Sequence, residues 1–275
     1  MPARYPERIV CLTEESTETL YLLGEERRIA GISGYTVRPP RARREKPRVS
    51  AFLSARQDKI LELKPDLVIG FSDLQADIAR DLTRAGLNVL IFNQRSVQEI
   101  LDMILALASL VGASEKGMRL VQTLEDGLEG VRRAASAFSR RPRVYFEEWD
   151  EPMISGIRWV SELVEIAGGE DVFSGRSHSH GATGRIVADP REVVKKDPEI
   201  ILGSWCGKKF RPERVAARPG WDAICAVREH QLFEIKSADI LQPGPAALTD
   251  GVRQIHEILR RSSDRVSGIR SPAAG

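Results

Sequence analysis

Few residues in this chain invite a chemical reading. His178 and His180 stand two apart in Ser177-His178-Ser179-His180-Gly181, a polar stretch that reads as a loop. Two neutral imidazoles could contribute to a metal site, for instance as an axial ligand, but a closed structural zinc site takes about four ligands and no partner cluster adjoins them. Cys206 lies just past a strand end in Trp205-Cys206-Gly207. As a thiolate it would bind a soft metal or react; as a thiol it is a small hydrophobe, the reading that also fits Cys11 and Cys225. Three cysteines far apart make no disulfide framework. The sequence carries no Gly-rich dinucleotide turn, no phosphate loop, no Gly-x-Ser-x-Gly elbow and no Cys-x-x-Cys.

The aromatics make a stronger pattern. They are few, at 6% of residues, yet Phe52, Phe71, Phe92, Trp149 and Trp205 are all expected in strand-to-helix loops, and Tyr35 also follows a strand. Each alone could plug a core. Together they suggest walls for a large, flat or apolar ligand, with Asp73, Asn93 and Asp239 adding polar groups at the same edge. Two basic runs, 38–48 (RPPRARREKPR) and 208–218 (KKFRPERVAAR), read either as solvated loops or as attractors for an anionic group, and both are expected at the mouth of a cleft.

These residues need elements to position them, and short apolar runs alternate with helical patterns along most of the chain. Strands are expected at 8–11, 29–32, 66–70, 88–92, 143–146, 199–203 and 231–235. Helices are expected at 15–23, 55–63, 74–85, 97–111, 157–167, 190–196 and 246–260. This alternation implies parallel sheets covered by helices. From Ser114 to Ser139, Leu120, Leu124, Leu128 and Val131 recur at helical spacing, which suits a rigid connector. An internal echo supports two related lobes: KPDLVIG at 64–70 and DPEIILG at 197–203 each follow a helix and each end in Gly before a loop with an aromatic, Phe71 or Trp205. Ligands of open α/β sheets bind beyond the carboxyl ends of strands, which places those loops at a site.

Composition limits the rest. The chain has 275 residues, is 42% hydrophobic and carries a net charge of +2. That is enough chain for a sizeable core and too apolar for disorder. Near-neutrality argues against coating nucleic acid, and no apolar run is long enough for membrane insertion. The first dozen residues, MPARYPERIVCL, lack the features of a secretory signal, so a cytoplasmic location is expected, or a periplasmic one if a leader is missing.

Several longer segments resemble one family. They are RIVCLTEESTETLYLLG (8–24), GISGYTVRPP (31–40) and ARQDKILELKPDLVIGF (55–71) in the first half. In the second half they are GIRWVSELVEIAGGEDVF (156–173), IVADPREVVKKDPEIILGSW (186–205) and RPGWDAICAVREHQLFEI (218–235). With the element order and the long helix, they resemble the substrate-binding proteins of ABC importers for metal chelates, in particular the cobalamin-binding branch. The resemblance implies an α/β fold of two Rossmann-like lobes with mainly parallel sheets joined by one long helix. Its domains would be an N-terminal lobe at 1–112, a connecting helix at 113–140, a C-terminal lobe at 141–262 and a flexible tail at 263–275.

The resemblance also implies a function: a monomer that binds a corrinoid, cobalamin or a precursor, in a cleft between the lobes, without catalysis and without a catalytic cofactor. Tyr35, Phe52 and Phe71 would line the first lobe, with Asp239 and Trp205 facing the ligand from the second. Phe at 52 and 71 stands where the cobalamin proteins carry Trp, which leaves less stacking area and no indole donor. Asp77 and Glu192 fall near positions where the family docks on its permease; each is equally readable as an ordinary surface acid. Uptake through an ABC permease and intracellular handling both fit. The rivals are a ferric-siderophore or haem binder of the same fold, and a cytosolic metal chaperone or enzyme using Cys206, His178 and His180.

Overall fold

The structure, a computed structural model, describes residues 5–268, with side chains to Ser263. It divides into two compact units. Unit 1 comprises residues up to Gln94, Gln98–Leu124 and Gln242–Pro245; unit 2 comprises Arg95–Val97, Glu125–Leu241 and the chain from Ala246.

In unit 1, five short strands make a parallel sheet. These are β1 (Ile9–Cys11), β2 (Ile29–Ser33), β3 (Arg48–Ser50), β4 (Leu67–Phe71) and β5 (Val89–Phe92), in the order β3-β2-β1-β4-β5. The sheet's central pair, β1 and β4, are apolar runs buried on both faces. The intervening helices are α1 (Glu14–Leu22), α2 (Ala42–Glu45), α3 (Gln57–Glu62) and α4 (Ala76–Arg84). Gly24, at φ +70°, stops α1 as expected. The order reverses between β1 and β4, so the loops leaving those strands diverge and open a crevice at their carboxyl ends. The sequence pattern missed β3 and α2. Both fall within or just after the first basic run, where charge and proline hide a three-residue strand.

Next come α5 (Val97–Leu110) and the 22-residue α6 (Ser114–Ala135). The division between units falls inside α6, after Leu124. At 1.5 Å per residue the helix is about 33 Å long.

Unit 2 holds β6 (Arg143–Asp150), β7 (Met153–Ser155), α7 (Arg158–Ile166), β8 (Glu170–Asp171), α8 (Ser174–Ser177), α9 (Arg191–Lys196), β9 (Ile200–Gly203), α10 (Pro212–Ala216), α11 (Cys225–Arg228), β10 (Leu232–Glu234), α12 (Ser237–Ile240) and α13 (Val252–Gly268). Its sheet runs β10-β9-β6-β7, with β8 also on β6. Every pairing is parallel except β6 with β7. The strand expected to end at Phe146 therefore continues to Asp150 and turns back as a hairpin. Trp149 lies in that strand and not in a strand-to-helix loop, because alternating charged and aromatic residues carry the pleat past the apolar run. The last helix opens with a π-turn, Ala247–Gly251, and α13 runs through Gly268, so the tail expected from 263 is helical at its start. Residues 1–4 and 269–275 lie outside the described residues.

The internal echo is structural. Lys64 and Asp197 each follow a helix, each precede proline, and both adopt left-handed backbone, at φ 45° and 43°. Arg8, just before β1, donates to the carbonyls of Leu63 and Lys64; Arg143, opening β6, donates to the carbonyl of Asp197. Both guanidiniums thus cap helix-terminal carbonyls that the helix leaves unsatisfied. The closing glycines match too. A Cβ on Gly70 would lie 2.5 Å from Gln75 Oε1, and one on Gly203 would lie 1.9 Å from the Phe210 ring.

Candidate functional site

In unit 1 the carboxyl ends of three neighbouring or near-neighbouring strands carry exposed apolar side chains. Tyr35 follows β2 and is 60% exposed, Leu53 follows β3 and is 68% exposed, and Leu74 follows β4 and is 58% exposed. Val37 is exposed and Phe52 half-buried beside them in sequence. Leaving such groups in water is unfavourable, and a patch of them on one edge marks a binding surface. Phe71 does not belong to it: as the last residue of β4 it is 6% exposed, packed into the core rather than lining a wall. Phe92 ends β5 and is half-buried. Asp73 and Asn93 are exposed at the same carboxyl edge, as expected.

Buried polar groups hold this edge in shape. The fully buried Gln75 accepts from the Phe71 N–H (3.0 Å) and donates to the Phe52 carbonyl (2.9 Å), so it ties the β3 loop to the end of β4. Glu14 accepts from the Val37 N–H (2.8 Å), and Glu18 pairs with Arg38 (3.0 Å), which fix the loop carrying Tyr35 to α1. Burial pushes the Glu14 carboxyl up to about 8; the Val37 N–H opposes that shift, while the Glu18 and Glu15 charges add to it. Burial likewise lifts Glu15 to about 7 against a hydrogen bond from Thr13. Glu14 Oε1 and Glu15 Oε2 are buried with no hydrogen-bond partner among the described residues. A deep neutral acid is the form that such an environment favours.

The first basic run spans the sheet instead of gathering at one mouth. Arg38 belongs to the loop after β2, but Arg48 opens β3 at the opposite, amino edge.

In unit 2 the corresponding carboxyl edge is charged and aromatic. Trp205, expected as an exposed wall, is 3% exposed and packs edge-on against Phe210, with ring centres 5.1 Å apart. Its indole N–H donates to Glu147 Oε1 (3.1 Å). The same fully buried carboxylate accepts from Tyr145 Oη (3.0 Å) and from both terminal nitrogens of Arg218 (2.5 and 2.9 Å). A buried carboxylate persists when its partners are this complete. Trp149 is half-buried, its N–H bound to the Glu151 carbonyl (2.9 Å). Lys208 Nζ lies 4.0 Å from its ring centre and also pairs with Asp150. Burial would raise Asp150; the Lys208 hydrogen bond and the Lys208 and Arg214 charges overcome it and hold the carboxyl below its ordinary value. The second basic run is thus largely neutralised by the acids of β6 and the turn after it.

A cavity of about 460 Å³ opens at this edge, within unit 2, between the end of β6, the start of α9 and the α10 segment. Trp205 and Met153 form apolar wall, and Asp150, Glu151, Arg214 and Arg218 supply the charges.

The other expected residues are placed elsewhere. Asp239, on α12, is half-buried and accepts from Gln254 of α13 (3.1 Å), beside a separate groove of about 430 Å³ along that helix. His178 and His180 are exposed on the loop after α8. Cys206 is exposed as a residue, yet burial around the sulfur and the Glu148 charge push its thiol up, away from the thiolate a metal or reaction would need. Among the described residues no three His, Cys, Asp or Glu side chains come together to hold a metal ion. Asp77 is exposed on α4 beside Arg80, whereas Glu192 on α9 is bound to Arg176 (2.6 Å).

Leu53 and Leu74 were not anticipated. The signal was available in their position just past a strand, but aliphatic residues there read as core. Gln75 and Glu147 also escaped notice, since nothing in a lone Gln or Glu announces that it will be buried.

The fold has counterparts in known proteins. The chain belongs to the periplasmic binding protein family, whose model matches residues 9–238, and it is a solute-binding protein by that membership. An ABC transporter substrate-binding lipoprotein of Bacillus subtilis is 25% identical over 258 residues, covering 92% of this chain and 79% of the relative. The vitamin B12-binding protein of Vibrio cholerae is 26% identical over 264 residues, covering 92% and 89%. The fold also matches solved structures. A possible iron-binding periplasmic protein of Staphylococcus epidermidis gives a TM-score of 0.79 at 19% identity, over 93% of this chain and 99% of that one. A periplasmic haem-binding protein of Pseudomonas aeruginosa gives 0.77 at 18%, over 94% of each. Relatives described as lipoprotein and periplasmic lend the cytoplasmic expectation no support. Among the described residues no helix is long and apolar enough to cross a membrane.

Proposed function

We propose that this chain binds a corrinoid, cobalamin or a precursor, and delivers it to an ABC permease. The observation that carries the reading is the exposed apolar edge of unit 1, where Tyr35, Leu53 and Leu74 present broad hydrophobic area at the ends of β2, β3 and β4. A flat macrocycle offers matching area, and its burial there drives binding. The vitamin B12-binding relative, which aligns along nearly the whole chain, supports the choice of corrinoid over other chelates. Asp77 and Glu192 each pair with a neighbouring arginine at 2.6 Å, but the Asp77 side chain is 84% exposed against 35% for Glu192, so Asp77 suits permease docking better.

Calorimetric titration of the purified protein with cyanocobalamin tests the reading. Saturable binding is expected well below ~100 μM, and no heat at that concentration, about −5.5 kcal/mol on the affinity scale, overturns it. Leu53→Asp and Leu74→Asp are each expected to weaken binding by about tenfold or more, because each sets an ionised group against the apolar ligand face. Haem is the competitor that the fold family itself suggests. A Soret-type spectral shift with hemin, and none with cyanocobalamin, would move the assignment to haem.

A further inference from the structure

The cavity in unit 2 has a composition that discriminates among chelates. Its inner wall is apolar, from Met153 and Trp205, and suits a short alkyl chain. Its charges are balanced locally. Arg218 is closed off by its fork on Glu147, and Arg191 is closed off by Asp189, with N–O distances of 2.9–3.1 Å. Arg214 is different. Its contacts with Asp150 and Glu151 are long, 3.9 and 3.5 Å; Asp150 is buried and held by Lys208, but Arg214 and Glu151 are both exposed, so this guanidinium and the Glu151 carboxylate keep hydrogen-bonding capacity. With Asp150 held by Lys208, the exposed charges left are one cation, Arg214, and one carboxylate, Glu151, so a charged guest of either sign meets a like charge. A neutral group with an acceptor and a donor side by side meets no like charge.

We infer that this cavity is the subsite for an uncharged primary-amide arm of the ligand, with Arg214 donating to the amide oxygen and Glu151 accepting from its N–H groups. The inference rests on the corrinoid reading and deepens it. Corrinoids carry short alkyl arms ending in primary amides around the ring, whereas haem ends in propionates and many ferric chelates are anionic. The cavity is too small for a macrocycle and takes an arm of one.

The test compares cyanocobalamin with its three monocarboxylic acids, in each of which one propionamide is hydrolysed to carboxylate, by titration against the whole chain. At least one acid is expected to bind about tenfold more weakly than the amide parent, since it sets a carboxylate against Glu151. In Glu151→Gln that gap is expected to narrow to about threefold or less, the repulsive partner being gone. In Arg214→Met the parent itself weakens, by about fivefold, and the gap does not narrow. Both positions are exposed, so the variants retain the fold. If all three acids bind as tightly as cyanocobalamin, or if the gap persists in Glu151→Gln, the subsite is overturned while corrinoid binding stands. If cyanocobalamin itself does not bind, both readings fall.

Discussion

Glu147 shows how a single side chain sets the character of a site. Four hydrogen bonds from Tyr145, Trp205 and Arg218 converge on a fully buried carboxylate and turn the Trp205 ring inward. Arg218→Met leaves that charge without its cation and is expected to cost about 3–5 kcal/mol in urea unfolding. Glu14 makes the opposite case. Burial lifts it from 4.5 to about 8, so between those values the folded state holds a proton that the unfolded state has lost. Its contribution favours folding at the acid end of that window and fades as pH rises through it. Urea midpoints are therefore expected to fall from pH 5 to pH 8, and Glu14→Gln is expected to flatten the decline; an unchanged slope would show that Glu14 titrates normally. The same scale explains which site residues were legible. Position after a strand can be read from sequence, and it placed Tyr35, Phe52, Asp73 and Asn93 at the carboxyl edge of the sheet, where the structure has them. Direction cannot: Phe71 and Trp205 turn into the core because Gln75 and Glu147 hold the adjoining backbone or the ring itself, and neither partner carries a pattern of its own.

At the level of elements, periodicity located most strands and helices to within a few residues, because buried parallel strands are runs of β-branched and aliphatic residues. It failed where a strand is not apolar. β3 begins with Arg48 amid the basic run, and the second half of β6 reads Glu-Glu-Trp-Asp. α6 was legible from its leucines despite Gly127 and Gly130 in its interior. Neither glycine has anything within 4 Å of where a Cβ would stand. No packing explains them, so each costs the helix stability through backbone freedom. Gly127→Ala is expected to raise stability by about 0.5–1 kcal/mol, read as a higher urea midpoint at unchanged slope. The left-handed Lys64 and Asp197 form a pair of another kind. Asp197 also receives the Cys225 N–H on its carboxylate (2.7 Å), so Asp197→Gly loses a bond that Lys64→Gly does not. Lys64→Gly is expected to be the better tolerated of the two by about 1 kcal/mol in the same measurement.

For the molecule as a whole, ligand binding and stability are linked. Cyanocobalamin at a hundred times its dissociation constant is expected to add about 2.7 kcal/mol to unfolding, and a melting temperature independent of its concentration would contradict binding to the native state. The division into units is also not a division of the chain. Gln242–Pro245, far along the sequence, belongs to unit 1: Gly244 lies so close to Glu15 that a Cβ there would sit 2.5 Å from the Glu15 Cβ, and the Pro243 carbonyl accepts from the buried Gln94 (3.0 Å). No single cut therefore yields two whole halves. A fragment ending in α6 would expose the flank of α1 that this tetrapeptide covers. Anyone building a split reporter or a permuted sensor from this protein would have to supply that late tetrapeptide with the early fragment, or place the break elsewhere, within a surface loop of unit 2.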